Sequence, residues 1–329
     1  MKYTQIADMK VSLLSLGTWG MGGGTSWNNS DDAESVSIIH KAKDLGINFI
    51  DTAPVYGTGH SEEVVGKALA GRRSSYFLST KCTMQWRNTN GVKMYERDGQ
   101  SVYKCFTRES LRADLEDSLR RLATDYIDIY IIHRQPDDIG QIPEVYDTLY
   151  GFQKEGKIRA IGISNASAAH LEAYLKCGQL ALVQEKFSLL ESKAARDYIP
   201  LCEKSGTVFQ AYSVLERGLL GGKIGMDYVV QKGEARGTIK WFDGYKRQRI
   251  LAMLSGWKGL CGKYRCTVAN LVVAFTLEYS PALNILFGVR RTENLLDTVK
   301  SLEVKLEPSD KDSMVKDIVH TLELCEADN

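Results

Sequence analysis

Eight short apolar segments, each followed by a loop and an amphipathic stretch, limit what this chain can become more than any other feature. They are Leu13–Gly17, Ile47–Asp51, Tyr76–Lys81, Ile127–His133, Ala160–Ser164, Leu182–Gln184, Val208–Ser213 and Asn284–Gly288. Between them run helical patterns such as Leu111, Leu115, Leu119 and Leu122, or Leu149 and Phe152 ahead of a stop at Gly156. Strand–helix alternation calls for parallel strands joined by crossover helices, and eight such units are what a (β/α)8 TIM barrel, an α/β fold, requires. An open doubly wound sheet usually has fewer strands and carries a glycine fingerprint for phosphate. Gly17, Gly20, Gly22, Gly23 and Gly24 follow the first strand but do not spell GxGxxG, and no P-loop lysine follows them. That loop is read as one that leaves room at a pocket.

The first residues alternate in short pieces that suit an N-terminal hairpin. Ser30-Asp31-Asp32 can cap a helix, with Glu34 spaced as in a capping box and Gly46 ending it. Ser61-Glu62-Glu63 opens another helix through Val64, Val65 and Leu69. From Pro308 the residues Met314, Val315, Ile318, Val319 and Leu322 predict a last helix that packs on the barrel or meets another subunit. No Pro/Gly/Ser-rich linker interrupts the pattern, so residues 1–329 are expected to form a single domain.

A hydrophobic fraction of 43% and a charged fraction of 25% fit a soluble globular chain. The net charge of +1 gives no electrostatic case for nucleic acid or an anionic membrane as partner. Seven cysteines, without CxxC or Cys/His spacing, predict free thiols, no metal site and a cytoplasmic location. No basic-then-apolar leader or bilayer-length apolar run is seen. The sequence does not set the oligomeric state.

The reactive residues gather at strand ends. Asp51 ends one strand with Tyr56 in the loop beyond it, Lys81 and His133 end two more, and Ser164-Asn165, Gln184 and Tyr212-Ser213 end three others. Alone, a strand-end lysine is more often a solvated charge, and a strand-end histidine a satisfied core residue. Together they converge on the C-terminal mouth of a barrel, where barrels place their sites.

INFIDTAPVYG, YFLSTK and YIDIYIIH, carrying Asp51, Tyr56, Lys81 and His133, resemble the catalytic tetrad segments of the aldo-keto reductases. The resemblance continues in order through KIRAIGISN, ALVQEKFSLL, FQAYSVLERGLLGGK and FGVRRTENLL, and is nearest to a bacterial branch of methylglyoxal or sugar-type reductases. It implies hydride transfer between a nicotinamide and a small carbonyl or alcohol substrate, with Tyr56 moving the proton. Lys81 is then expected to stabilise the phenolate, Asp51 to hold Lys81, and His133 to orient the substrate oxygen. The resemblance also implies that Ser164, Asn165 and Gln184 hold the nicotinamide carboxamide and that Tyr212 stacks on the ring. Ser213, Leu215, Gly218 and Leu220 would meet the pyrophosphate, and Gly288 to Glu293 the adenosine. Arg290 and Arg291 in that segment favour NADP(H), with NAD(H) as the other cofactor, because guanidinium suits a 2′-phosphate. Phe187 stands where many relatives have tyrosine, implying a lost hydroxyl near the cofactor edge. Thr298 stands where an adenine-contacting asparagine is common.

Two other readings fit the same residues. Barrel lysines form Schiff bases in aldolases, but such a lysine must lose its proton, and a facing Asp51 opposes that. A nicotinamide-binding redox-sensing subunit with little turnover would also carry these segments. Substrate choice is expected in the loops. The stretch from Cys82 to Phe106 reads as a long loop with Trp86 in it, and Trp19 and Trp241 are candidate aromatic walls.

Overall fold

Antiparallel β1 (Tyr3–Ile6) and β2 (Met9–Ser12) form the expected hairpin, and β3 (Leu14–Gly17) follows at once. In chain order come β4 (Phe49–Asp51), β5 (Phe77–Cys82), β6 (Met84–Gln85), β7 (Val92–Arg97) and β8 (Gln100–Lys104). The rest are β9 (Ile127–Ile132), β10 (Ile158–Ser164), β11 (Leu182–Lys186), β12 (Val208–Tyr212) and β13 (Leu283–Gly288). In the computed structural model, which describes residues 1–28 and 30–327 (193–195 as backbone only), eight parallel strands close a barrel in the order β3-β4-β5-β9-β10-β11-β12-β13. Each expected strand is present, with ends moved by no more than two residues. No helix among the described residues is long and apolar enough to cross a membrane.

The helices cover the barrel as their apolar stripes demand. In helix Asp32–Asp44 the Asp31 side chain caps by accepting from the Glu34 backbone N–H, and Ile38, Ile39 and Ala42 face inward. The capping box expected with Glu34 is made only in that half. The helix expected from Ser61 starts at His60, behind Gly59 at φ +95°. In the last helix, Pro308–Glu326, Met314 and Ile318 are buried, but Val315 and Val319 are 43% and 48% exposed. Neighbours in sequence cannot share a helix face, so the single stripe expected there is split.

Residues 82–106 are not a structureless loop. β6, β8 and β7 form a three-stranded antiparallel sheet, in which β7 and β8 turn through Asp98 and Gly99 at φ +51° and +76°. Both positive values match the two-residue hairpin turn that an Asp-Gly pair favours. Its base is fixed by buried Asp114, which accepts from the Thr83 N–H at 2.8 Å and from Arg87 at 2.6 Å. Its tip crosses the barrel mouth, where Asp98 accepts from the Thr25 N–H at 3.2 Å.

Inside the barrel the two ends differ. The N-terminal end is plugged by Ile6, Met9 and Val11 of the hairpin against Phe49, Ile129 and Leu182. Above that plug the strands carry buried polar side chains: Asp51, Ser79, Lys81, Gln184, Gln210 and Asn284.

Candidate active site

Asp51 and Ser79 are register partners on β4 and β5, and Lys81 lies one inward position further along β5. The Lys81 ammonium bonds Asp51 Oδ1 at 2.6 Å and the Thr52 carbonyl at 2.8 Å. The other Asp51 oxygen accepts from Ser79 Oγ at 2.7 Å and from Gln184 Nε2 at 3.0 Å. Gln184 gives its second N–H to Gln210 Oε1 at 2.7 Å, and Gln210 Nε2 donates to Asn284 Oδ1 at 2.9 Å. Asn284 Nδ2 ends the series on the carbonyls of Ser12 and Leu13, at 2.9 and 3.1 Å. A chain of three amides thus crosses the barrel from a carboxylate to the backbone. Gln210 and Asn284 had no part in the sequence reading. Their signal was an amide in an otherwise apolar strand.

Tyr56 lies above the ion pair. The Lys81 ammonium is 5.1 Å from its ring centroid, and the His133 ring stands edge-on at 6.0 Å. Burial, then the Asp51 charge, raise the Tyr56 pKa well above the usual phenol value, so the hydroxyl is protonated in the cofactor-free protein. Burial lowers the Lys81 pKa while Asp51 opposes the shift. Burial followed by the charges of Lys81 and Arg134 lowers the His133 pKa well below its ordinary value, leaving a neutral imidazole. Its Nδ1 is buried without a hydrogen-bond partner.

The glycine-rich loop leaves room for backbone. A Cβ on Gly22 would sit 2.7 Å from the Tyr56 carbonyl carbon, and one on Gly57, at φ +62°, only 2.0 Å from the Gly22 oxygen. Two loops interlock there to hold the phenol over Lys81. Gly57→Ala is therefore expected to destabilise the fold by about 3 kcal/mol, combining left-handed strain with overpacking, and to lower turnover as Tyr56 shifts. Thermal unfolding and initial rates measure both; a variant that keeps both wild-type values would show that the contact is not needed.

The positions expected around a nicotinamide dinucleotide lie along the mouth from β10 to β13. Ser164 Oγ donates to the Gln184 carbonyl at 2.8 Å. Asn165, at φ +52°, gives Nδ2 to the His133 carbonyl at 2.9 Å and accepts from the Tyr212 hydroxyl at 2.7 Å. Its amide therefore fixes the Tyr212 ring. Gln184 donates both N–H bonds inward, and its Oε1 accepts no hydrogen bond among the described residues. A free amide oxygen at the mouth, beside a fixed aromatic face, fits a carboxamide-bearing ring. Beyond it Ser213, Glu216, Arg217 and Gly218 all have positive φ. That turns the loop holding Leu215 and buried Leu220, and Glu216 pins it through Ser188 at 2.5 Å.

Gly288 ends β13, and exposed Glu293 lies in the first turn of helix Thr292–Lys300. Arg290 and Arg291 diverge. Arg290 donates to the Trp27 carbonyl at 2.5 Å, whereas the Arg291 guanidinium makes no hydrogen bond or ion pair among the described residues. Phe187 is fully buried, and its ring packs edge-on against Tyr279 at 4.9 Å. The Thr298 hydroxyl bonds within its own helix, to the Asn294 carbonyl at 2.8 Å.

Of the three candidate substrate tryptophans, two reach the mouth. Trp19 lies 6.1 Å from the Tyr56 ring, and with Trp86 it lines a small cavity closed by Tyr95 and Arg97 of β7. Trp241 is 4% exposed and packs in the hydrophobic core, so it is not a wall of that cavity. Its sequence neighbours Lys240 and Phe242 gave no sign of which way the indole would turn.

The Aldo/keto reductase family model matches residues 13–317. The chain is 38% identical to the NADH-specific methylglyoxal reductase of Escherichia coli, over 96% of this chain and 97% of that protein. It is 33% identical to an aldo-keto reductase of Bacillus subtilis, over 90% and 87%. The solved structure of a glycerol dehydrogenase from Gluconobacter oxydans superposes with a TM-score of 0.84 at 34% identity, over 96% of this chain and 94% of that one.

Proposed function

Because the chain belongs to the aldo/keto reductase family, whose members are NAD(P)H-dependent, we propose that Asp51, Tyr56, Lys81 and His133 are its catalytic tetrad. The protein is an oxidoreductase that interconverts a carbonyl compound and its alcohol. The observation that carries the tetrad assignment is the buried Lys81–Asp51 pair beneath the ring of a protonated Tyr56, with a neutral His133 at its edge.

The nicotinamide, when bound, supplies or takes the hydride. Everything else falls to side chains. Tyr56 gives its proton to the carbonyl oxygen as that oxygen gains charge, and takes it back in the alcohol direction. The Lys81 cation, held by Asp51, favours the phenolate left behind. Neutral His133 has an N–H to donate to the same oxygen and sets its angle. Lys81 is fully buried and bonded to Asp51, an arrangement unsuited to attack on a carbonyl, so the Schiff-base reading has no support.

For the cofactor, Gln184 Oε1 would accept the carboxamide N–H bonds while Asn165 and Ser164 hold the wall behind it. Tyr212 would stack on the ring, Ser213 to Leu220 follow the pyrophosphate, and Gly288 to Glu293 the adenosine. We read NADP(H) as the preferred form, with Arg291 meeting the 2′-phosphate because its guanidinium is exposed and unpaired. The NADH-specific relative makes NAD(H) the form to test beside it. Arg291→Ala is expected to weaken NADPH about tenfold, in line with about 1.5 kcal/mol for a charge-assisted hydrogen bond, and to leave NADH binding alone. Fluorescence titration with both nucleotides measures this; equal loss for both would remove Arg291 from 2′-phosphate recognition.

Two of the three similar proteins are named for methylglyoxal and glycerol, and both molecules are short and polar. A short polar carbonyl compound is the substrate class we propose. Seven unpaired thiols suit a reducing cytoplasm, and residues 1–329 are read as one domain. Turnover of methylglyoxal or glyceraldehyde with either nucleotide tests the whole reading. Tight nucleotide binding with no turnover across a broad panel would overturn it in favour of a sensor.

A further inference from the structure

The mouth holds two arginines that no carboxylate pairs with among the described residues. Arg134 follows His133 directly, and its backbone is tied to Thr83 Oγ1 at 3.2 Å in both directions. Its exposed guanidinium makes no hydrogen bond or ion pair among the described residues. Its charge nevertheless acts on Tyr56, His133, Tyr95 and Tyr212, groups from four different elements around the mouth. Arg97 is carried in on the hairpin that crosses the mouth. It lies 5.0 Å over the Tyr95 ring, lines the cavity with Trp19 and Trp86, and pairs with no carboxylate among the described residues. Tyr95 thus stands under the influence of both arginines.

The nearby carboxylates form no ion pair with either arginine among the described residues. Asp51 is paired with Lys81, and Asp98, which lines the same cavity as Arg97, accepts from the Thr25 N–H at 3.2 Å. Glu185 accepts from the Ala166 N–H at 2.5 Å, and its burial pushes its pKa up to about 8, so it adds little negative charge at neutral pH. Two unpaired guanidinium groups beside a catalytic phenol and a deliberately neutral imidazole raise the local potential for an anion. Forked N–H donors suit the paired oxygens of an acid group.

We propose that Arg134 and Arg97 form an acid-recognising subsite around Tyr95, so that the substrate is a short carbonyl compound that also carries a carboxylate or phosphate. This rests on the oxidoreductase reading and names its substrate class. The acid docks on the arginines while the carbonyl end meets Tyr56 and His133. Arg134 directly follows His133 at the end of β9, so the subsite belongs to the substrate end of the cleft and not to the adenosine end at Arg291.

The test compares matched substrates with saturating nucleotide: succinic semialdehyde against butanal, and glyceraldehyde 3-phosphate against glyceraldehyde. The wild-type enzyme is expected to favour at least one acid member over its neutral partner by tenfold or more in kcat/KM. Which pair shows it separates carboxylate from phosphate. Arg134→Gln should lower that ratio at least tenfold, chiefly through KM, with no change in the nucleotide dissociation constant. Arg97→Gln should lower it in the same direction, and KM for the acid should rise with salt. A wild-type preference for both neutral partners, or an Arg134→Gln ratio equal to wild type, overturns the subsite. So does a loss in Arg134→Gln that appears in nucleotide binding, since the cation would then serve a cofactor phosphate. Failure to turn over any of the four, or any carbonyl of the broad panel, with nucleotide bound, would instead sink the oxidoreductase reading itself.

Discussion

Tyr56→Phe is expected to lower kcat by about 10²–10⁴-fold, the usual worth of a placed general acid, while nucleotide affinity stays within twofold of wild type. The hydroxyl is the only group removed, and its ring, 6.1 Å from Trp19 and edge-on to His133, still fills the same space. The split between turnover and binding decides between roles. A structural tyrosine would change stability or affinity, whereas a proton donor changes the rate. A pH profile sharpens the same point. The Tyr56 pKa is raised in the cofactor-free protein, so the donor keeps its proton as pH climbs, and kcat/KM for reduction should stay level through about pH 9, below a free phenol's own titration near 10. A fall in kcat/KM centred near neutral pH, absent from Tyr56→Phe, would mean that the cofactor-free phenol is acidified by Lys81 after all. Near-normal turnover in the variant would remove Tyr56 from the chemistry.

How far the sequence could be read depends on whether a residue's role was local. The barrel was legible because each strand is a short β-rich apolar run, and closure follows from eight parallel strands with crossover helices. The proposed tetrad was legible because Asp51, Lys81 and His133 lie at or next to strand ends, where position along the chain already implies position at the mouth. The hairpin over the mouth was missed, although the Asp98-Gly99 pair between alternating residues carried a turn signal; the polar composition of residues 87–100 hid it. Trp241 was read as a wall from its place in an aromatic loop run, and packing turned it into the core. Arg134 and the Gln184–Gln210–Asn284 chain depend on what lies across the barrel, with partners as many as 272 residues away, and no periodicity reports that.

Asp51→Asn, nearly isosteric, is expected to be disruptive out of proportion to the one atom changed. The new amide must keep its oxygen towards Lys81, which can only donate, so its NH₂ turns towards Gln184 Nε2, another donor. Gln184 could rotate its amide to present oxygen, but that oxygen's other neighbour, in place of its N–H, would be Gln210 Oε1, an acceptor. Rotating Gln210 passes the conflict to Asn284, and rotating Asn284 sets its oxygen against the carbonyls of Ser12 and Leu13, which cannot donate. No arrangement of the three amides removes the clash, because acceptors bound the chain at both ends in the wild type and at only one in the variant. Lys81 is also left with a neutral partner in a fully buried position. Breaking a buried ion pair from one side costs roughly 3–5 kcal/mol, and denaturant unfolding should read a loss of that order. Turnover should fall at least as far as in Tyr56→Phe, since the cation that favours the phenolate is no longer held. The amide argument makes one further demand on the numbers. In a Gln184→Leu background the donor conflict is gone, so Asp51→Asn should destabilise less than it does alone, by a coupling of about 0.5–3 kcal/mol. Strict additivity would show that the amides reorient freely, and that only the lost charge on Asp51 matters.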